Sequence, residues 1–221
     1  MLKLSVIIPI YNELESLPEL LDELASVLKN NYDYEIICVD DGSNDGSAQF
    51  IKDQSLQNDH LISLRFPKNS GKSSALNAGF DKASGDYVIT MDADLQDDPS
   101  EIPNLITELE KGYDLVSGWK KKRHDPISKR LPSKMFNLVT RLITGVKIHD
   151  FNCGLKIYKK EVVKSLEVYG GRHRYIPVLA GQRNFRISEI VVNHRPRQYG
   201  TTKYGGFRFF HGFFDLLSVL F

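Results

Sequence analysis

The sequence has few of the features that mark several common classes of protein. Only two of its 221 residues are cysteine, Cys38 and Cys153, so it has no disulfide framework, and a reducing compartment is the simpler expectation. The formal net charge is +1, too small to attract the whole chain to nucleic acid. No run reaches the roughly 20 apolar residues that span a bilayer, and residues 4–10 enter a turn without a signal-peptide cleavage pattern.

What is present is an alternation of strand-like and helix-like segments. Short apolar, β-branched runs predict strands at residues 4–10, 35–39, 61–66, 87–91 and 114–119. Apolar residues at three- and four-residue steps predict helices between them. Later segments predict helices at 128–144 and near 176–181, and strands at 154–158 and 186–192. The rhythm predicts an α/β fold, a Rossmann-like and mostly parallel sheet flanked by helices, with ligands beyond the carboxyl ends of its strands.

The end of the chain has a different pattern. Polar residues recur at steps of three and four and share one face of a predicted helix, at Arg208, His211, Asp215 and Ser218. Phenylalanine and leucine fill the opposite face. We expect this C-terminal amphipathic helix to lie at a membrane interface, with docking on the domain core as the alternative. Because the sequence stops inside an apolar run, we expect the natural chain to continue into membrane helices.

The strongest chemical signal is Asp92-Ala93-Asp94, directly after the fourth predicted strand. Residues i and i+2 of a strand point to the same side, so both carboxylates should face the ligand edge. Like charges placed so close need a cation, and hard oxygen ligands select Mg²⁺ or Mn²⁺. Such a cation could hold a diphosphate and assist its departure. The alternative for this motif is a solvated loop with a helix cap. Asp97-Asp98-Pro99 differs, and we expect it to be a helix start with an acidic N-cap ahead of the proline.

Two further strand ends carry polar residues. Asp40 and Asp41 follow the second strand and could accept hydrogen bonds from a base or a ribose, although a turn with a helix cap explains them too. Pro9 ends the first strand, Tyr11 could stack on a base, and Glu13 could bond to the base or the ribose. The first βα turn lacks the Gly-x-Gly-x-x-Gly fingerprint, which disfavours a dinucleotide-dependent oxidoreductase, and the histidines lack zinc-ligand spacing.

Together these motifs resemble those of the family 2 glycosyltransferases of the GT-A fold. The resemblance rests on residues 5–13, 39–43, 69–79 and 91–99, in the expected order. Residues 150–156, 173–177 and 194–205 narrow it to the polyprenyl-phosphate glycosyltransferases, the group that includes dolichol-phosphate mannose synthase. It implies a catalytic domain over residues 1–205, followed by a juxtamembrane helix over residues 206–221.

The resemblance also implies roles for particular residues. The nucleotide-sugar would be bound by Pro9, Tyr11, Glu13, Asp40, Asp41, Lys72, Asp92, Ala93 and Asp94. Asp92, Asp94 and Gln96 would hold the Mg²⁺ or Mn²⁺, and Asp150 would be the carboxylate on the acceptor side. Transfer would be an inverting single displacement from a UDP- or GDP-sugar to a polyprenyl phosphate at the cytoplasmic face of a membrane, with a homo-oligomer as a further expectation.

A lipid phosphate is already anionic, so its main needs are positioning and charge compensation. The basic candidates for this task are Arg123, Arg130, Arg195, Arg197 and Lys203, with Arg123, Arg197 and Lys203 nearest the chemistry. Lys120 to Lys122 are expected to be solvated surface charges. Asp150 could be a base or could orient a basic neighbour. Two alternatives stay open: a soluble enzyme that glycosylates a saccharide hydroxyl, and a non-catalytic scaffold that binds nucleotide-sugars.

Overall fold

The computed structural model describes residues 2–121, 127–199, 215, 216, 218 and 219. Its strands are β1 Lys3–Ile10, β2 Asp33–Asp40, β3 Leu61–Arg65, β4 Tyr87–Thr90, β5 Leu115–Trp119, β6 Lys156–Lys159 and β7 Ile187–Val191. Its helices are α1 Leu17–Leu28, α2 Ser47–Ser55, α3 Lys72–Lys82, α4 Ile102–Glu110, α5 Ile127–Thr144, α6 Lys160–Ser165 and α7 Ile176–Gln182. These elements confirm the predicted α/β alternation.

The seven strands form one sheet in the order β3-β2-β1-β4-β6-β5-β7. Strand β6 runs antiparallel to β4 and β5, and the other pairings are parallel. The sheet is therefore mostly parallel, as predicted. Strand β1 lies near its centre and pairs with both β2 and β4, which brings the carboxyl ends of these three strands side by side.

The core occupies both faces of the sheet. Alternate residues of β1 pack in opposite directions: Leu4, Val6 and Ile8 join the cluster with α1 and α4, and Ile7 joins the cluster with α3 and α7. A strand buried on both faces needs apolar residues throughout, which explains the continuous runs in the sequence. Helices α2 and α6 escaped prediction because α2 buries only Ser47 and Ile51, and α6 has six residues.

The described residues of the C-terminal segment dock on the domain. Leu216 and Val219 are buried in a third apolar cluster that includes Phe151 and Tyr175, and Asp215 pairs with Arg174 at 3.5 Å. For these residues the docking alternative holds. The phenylalanines of the expected membrane face lie outside the described residues, so the membrane-interface helix stays a prediction. Within the described part of the chain, no helix is long and apolar enough to cross a membrane.

Candidate active site

The candidate site lies at the edge of the sheet where β1, β2 and β4 end. On its nucleoside side, the carboxylates of Asp40 and Asp41 are held by the protein itself. Asp41 accepts hydrogen bonds from the backbone N–H groups of Ser70 at 2.6 Å and Gly71 at 2.9 Å. Asp40 is buried and accepts from the N–H of Ser43 at 3.3 Å. These two residues therefore fix the loops that would surround a nucleoside.

The loop after β1 is fastened to the loop after β2. The N–H of Asn12 donates to Ser43 Oγ at 2.9 Å, and the N–H of Asn44 donates back to Asn12 Oδ1 at 2.9 Å. Gly42 has φ +75°, and a Cβ there would lie 2.5 Å from the carbonyl carbon of Lys68, so glycine alone permits this approach. Pro9, Tyr11 and Glu13 are half-buried along the same edge, where the sequence predicted them.

The acidic pair beyond β4 has a different set of partners. Lys72, at the start of α3, forms an ion pair with Asp92, and Arg197, from the loop after β7, forms one with Asp94. The N–H of Gln96 donates to Asp94 Oδ1 at 3.2 Å. The predicted donor-side residues Lys72, Asp92 and Asp94 are thus brought together with the predicted acceptor-side residue Arg197.

The two carboxylates have opposite electrostatic surroundings. Burial, together with the charges of Asp92 and Asp97, raises the pKa of Asp94 to about 6. Burial acts in the same direction on Asp92, but the ammonium groups of Lys72 and Lys120 outweigh it and lower that pKa. The negative charges that raise the pKa of Asp94 are repulsive, and a bound cation would relieve this repulsion.

A buried ion pair, Lys120 with Asp97, lies next to the acidic pair and is hydrogen-bonded to it. Lys120 Nζ lies 2.7 Å from Asp97 Oδ1, and Asp97 Oδ2 accepts the N–H of Asp92 at 3.2 Å. The prediction that Lys120 is a solvated surface charge is wrong: its side chain is 11% exposed, because β5 ends beside the acidic loop. A Cβ on Gly154 would lie 2.6 Å from Asp92 Cγ, so the glycine leaves the space that the carboxylates occupy.

The next acidic residue has the structural role predicted for it. Asp98 caps the short 3₁₀ turn Pro99–Glu101 by accepting the N–H of Ser100. Arg195, a predicted phosphate ligand, lies 2.8 Å from Asp98 and 2.6 Å from Glu23. These two carboxylates fasten the loop after β7 to α1 and the 3₁₀ turn. The phosphate role of Arg195 stays a prediction, and its contacts favour an anchoring role.

Asp150, the predicted carboxylate of the acceptor side, is buried. Its Oδ1 accepts the N–H of Asn152 at 3.2 Å, and its backbone carbonyl accepts from Ser117 Oγ at 3.4 Å. The predicted ligands Arg123 and Lys203 lie outside the described residues, as does the side chain of Arg130.

Sequence reasoning missed two basic residues at the centre of the site. A small cavity of about 10 Å³, room for roughly one water molecule, is lined by Lys72, Asp92, Lys156 and His173. Lys156 is buried and donates to the carbonyl of Cys153, and burial lowers its pKa. His173 Nδ1 lies 3.0 Å from Ser73 Oγ of α3. The available signal for Lys156 was a lysine inside the otherwise apolar run of residues 155–158.

The donor set suits a divalent cation only if another molecule completes it. Asp92 and Asp94 offer hard oxygen ligands. The side chain of Gln96, the third predicted metal ligand, contacts another residue instead: its Nε2 lies 3.3 Å from His194 Nε2. Among the described residues, no group of three or more His, Cys, Asp or Glu side chains could hold a metal ion. The pair therefore fits a cation that takes its remaining ligands from a bound substrate.

The sheet order and the acidic pair beyond β4 define a GT-A-type α/β protein. The crystal structure of glucosyl-3-phosphoglycerate synthase from Mycobacterium tuberculosis with phosphoglyceric acid matches at a TM-score of 0.78 and 20% identity, over 99% of this chain and 80% of that one. The same enzyme with Mn²⁺ and uridine-diphosphate-glucose matches at a TM-score of 0.68 and 20% identity, over 89% and 72%. At this identity the likeness shows the fold.

The sequence comparison narrows the class to a family. The profile described as Glycosyl transferase family 2 matches residues 5–167, and the chain belongs to that family. A relative from Pseudomonas fluorescens, undecaprenyl-phosphate 4-deoxy-4-formamido-L-arabinose transferase, is 40% identical over 218 residues. The match covers 98% of this chain and 64% of the relative, so the chain spans a little under two thirds of that protein's length.

Proposed function

We propose that this protein transfers a sugar from a nucleotide-sugar to a polyprenyl phosphate at a membrane surface. The observation that carries the proposal is the acidic pair Asp92 and Asp94, two carboxylates at the carboxyl edge of the sheet that are brought together with the cations Lys72 and Arg197. Nucleotide-sugars are donors for the family, and the name of the relative from Pseudomonas fluorescens, an undecaprenyl-phosphate sugar transferase, supports a polyprenyl-phosphate acceptor. A saccharide acceptor is the alternative that the experiment below excludes or supports.

The donor would span the edge from β1 to β4. Tyr11 and Glu13 would contact the nucleoside, within loops that Asp40 and Asp41 hold in place. Asp92 and Asp94 would hold Mg²⁺ or Mn²⁺, with the diphosphate supplying further oxygen ligands. The cation would neutralise the charge that develops on the leaving nucleoside diphosphate. Lys72, which starts α3 and pairs with Asp92, would contact the same diphosphate.

The reaction is a single displacement at the anomeric carbon. A phosphate oxygen of the acceptor forms the new bond to that carbon as the bond to the diphosphate breaks, and the bonding electrons leave with the nucleoside diphosphate. Because the nucleophile is already anionic, no proton needs to be removed. Arg197 would compensate the charge of the acceptor phosphate. Three further candidates for this role have side chains outside the described part of the structure: Arg123, Arg130 and Lys203.

Asp150 would then orient the acceptor side and need not act as a base. Its buried carboxylate accepts a backbone N–H from Asn152, an arrangement that positions a side chain. If the acceptor were a saccharide hydroxyl, the proton of that hydroxyl would need a base, and Asp150 is the candidate. Asp150→Asn therefore distinguishes the two acceptors, because its effect on rate should be large only with a hydroxyl.

The surface of α5 supports a location at a membrane. Apolar side chains stand exposed on one side of this helix, among them Leu138 at 56% and Leu142 at 74%. Lys134 and Lys147 are exposed near them. Apolar residues flanked by cations suit an anionic lipid surface.

The membrane location is tested by flotation with phosphatidylglycerol vesicles. Leu138→Gln/Leu142→Gln should reduce binding, whereas Leu56→Gln, exposed at the end of α2, should leave it unchanged. Equal flotation of all three proteins would contradict a role for α5 in membrane binding.

The function itself is tested by following radiolabelled UDP- and GDP-sugars into undecaprenyl phosphate, with Mg²⁺, with Mn²⁺ and with EDTA. Asp94→Ala serves as the inactive variant. Metal-dependent label in the lipid phase, lost in Asp94→Ala, would support the proposal and identify the donor. Label that enters only added saccharide would replace the lipid acceptor by a hydroxyl acceptor. Absence of turnover with every donor and acceptor would support a non-catalytic binding protein.

A further inference from the structure

The two carboxylates of the acidic pair are paired with cations from opposite edges of the sheet. Lys72 begins α3, which follows the edge strand β3, and Arg197 lies in the loop that follows β7, the other edge strand. Each forms an ion pair with one member of the pair, Lys72 with Asp92 and Arg197 with Asp94. The carboxylates that a divalent cation would use are thus already neutralised by the chain.

These two ion pairs differ from the third pair in the same site. The cations of these two pairs are 24% exposed at Lys72 and 28% at Arg197, and their carboxylates are 30% exposed at Asp92 and 12% at Asp94. In the third pair Lys120 is 11% exposed and Asp97 is fully buried. When a metal ion takes over the carboxylate, only the displaced ammonium or guanidinium group must be solvated, and this costs less for a side chain that is already partly exposed. Breaking a buried pair strands a charge and costs far more. Lys72 and Arg197 can therefore leave their carboxylates, and Lys120 cannot.

We propose that Lys72 and Arg197 are exchangeable counter-ions, which a divalent cation displaces when it binds Asp92 and Asp94. The exchange conserves charge: one cation of charge +2 replaces two of charge +1 at the same two carboxylates. The displaced ammonium and guanidinium groups can then meet the negative charges of the entering substrates. Lys72 would turn to the donor diphosphate and Arg197 to the acceptor phosphate. The inference rests on the cation site of the proposed function.

The exchange has a thermodynamic consequence. A cation that binds alone must break the ion pairs of Lys72 with Asp92 and of Arg197 with Asp94, so its affinity is reduced. A diphosphate that enters with the cation supplies a partner for Lys72, so each should strengthen the binding of the other. The metal and the nucleotide would then bind cooperatively for two reasons: the diphosphate coordinates the metal directly, and it gives Lys72 a new partner.

The direct test is the reactivity of the Lys72 amine in the wild-type protein. The protein is acetylated with N-hydroxysuccinimidyl acetate and mapped by mass spectrometry, alone, with Mn²⁺, and with Mn²⁺ and UDP. We expect Lys72 labelling to rise with Mn²⁺ and to fall again when UDP is added. Lys82, exposed at the other end of α3, is the internal control and should react equally in all three samples.

The second readout is the affinity for Mn²⁺, measured by calorimetry without nucleotide. Lys72→Met should bind Mn²⁺ about fivefold more tightly, the factor that corresponds to the upper value for an exposed ion pair. Lys72→Arg, which keeps the charge, and Lys82→Met should bind like the wild type. In Lys72→Met, UDP should strengthen Mn²⁺ binding less than it does in the wild type.

The outcomes separate this inference from the proposed function. If Mn²⁺ binds while Lys72 labelling stays constant and Lys72→Met gains no affinity, the exchange is wrong and the cation site stands. If Mn²⁺ fails to bind both with and without UDP, the cation site fails and the exchange fails with it. A rise in labelling with Mn²⁺, reversed by UDP, supports both.

Discussion

Two groups of carboxylates lie at the same edge of the sheet and differ in their main partners. Asp40, the last residue of β2, and Asp41 accept hydrogen bonds from backbone N–H groups, and Asp40 has in addition a long contact of 3.7 Å with the exposed Arg65. Asp92 and Asp94, after β4, are paired mainly with the side chains of Lys72 and Arg197, although Asp94 also accepts the N–H of Gln96. A backbone donor is fixed by the fold and cannot leave, whereas a side-chain cation can rotate away. The first group therefore shapes the site, and the second can change partners during a reaction.

Asp97 combines features of both groups. It accepts the N–H of Asp92 and pairs with Lys120, yet its burial makes the ion pair as permanent as a backbone contact. Burial decides whether an ion pair can exchange, because the cost of a stranded charge grows as water is excluded. The four predictions below test this distinction, from the largest expected effect to the smallest.

Lys120→Met should destabilise the protein by about 3–5 kcal/mol, since it leaves the Asp97 carboxylate buried without its cation. Lys121→Met is the matched control, because Lys121 is exposed beside it and lies 5.4 Å from the ring of Trp119. Chemical denaturation measures both. The double variant Lys120→Met/Asp97→Asn should recover part of the loss. Equal stability of the two single variants would mean that the Lys120–Asp97 pair is not a permanent support.

Asp94→Ala should lower the rate of sugar transfer by about 10²–10³-fold, the range found when one group that stabilises developing charge is removed. The acidic pair would lose one of its two oxygen-donating side chains. Thermal unfolding should change little, because the partner Arg197 is exposed enough to be solvated. Asp150→Ala provides the comparison and should lose less activity with a phosphate acceptor. A greater loss in Asp150→Ala would indicate a hydroxyl acceptor.

Asp41→Ala should act mainly on stability, with a loss of about 1–3 kcal/mol from the unsatisfied N–H groups of Ser70 and Gly71. Asp41→Asn keeps one acceptor oxygen and should lose less. Asp22→Ala, on the exposed side of α1, is the control. The affinity for the nucleotide should fall with the loop order, while the turnover of bound donor should be retained. A loss of turnover with full stability would place Asp41 among the reacting groups.

The sequence sufficed for the parts of the fold that depend on local pattern. The sequence predicted a strand at each of the seven described strands. In β1 the signal was a continuous apolar run, because Val6 and Ile7 are buried on opposite faces. The positions of Asp41, Asp92 and Asp94 at strand ends followed from the alternation of elements. The antiparallel direction of β6 did not follow, since pairing of Lys156 with Thr90 and Ser117 is a long-range property.

The pairing of side chains within the site could not be predicted from the sequence either. In the sequence, Lys120 belongs to a basic run that is expected to be solvated. In the structure it is buried and pairs with Asp97, because β5 ends beside the acidic loop. Arg195 and Arg197 are two residues apart and look equivalent. The fold separates them: Arg195 is held between Glu23 and Asp98, and Arg197 meets Asp94. Which carboxylate receives which cation is decided by contacts between segments distant in the chain.

Asp114 has both kinds of partner and gives the smallest expected effect. Its carboxylate accepts the N–H of Arg186 at 2.8 Å and pairs with Lys159 at 2.7 Å. Although burial acts to raise its pKa, Lys159 and the Arg186 N–H lower it in the folded state. A lowered pKa stabilises the fold above the pKa of the unfolded chain, near 3.9, and this contribution is lost as the pH falls through the folded value.

Asp114→Asn should therefore be less stable than wild type at pH 7, and the difference should shrink below about pH 4. Urea denaturation at several pH values measures this difference, with Asp81→Asn on the exposed side of α3 as the control. A difference that stays constant with pH would assign the role of Asp114 to its hydrogen-bond geometry alone, and its charge would then contribute nothing.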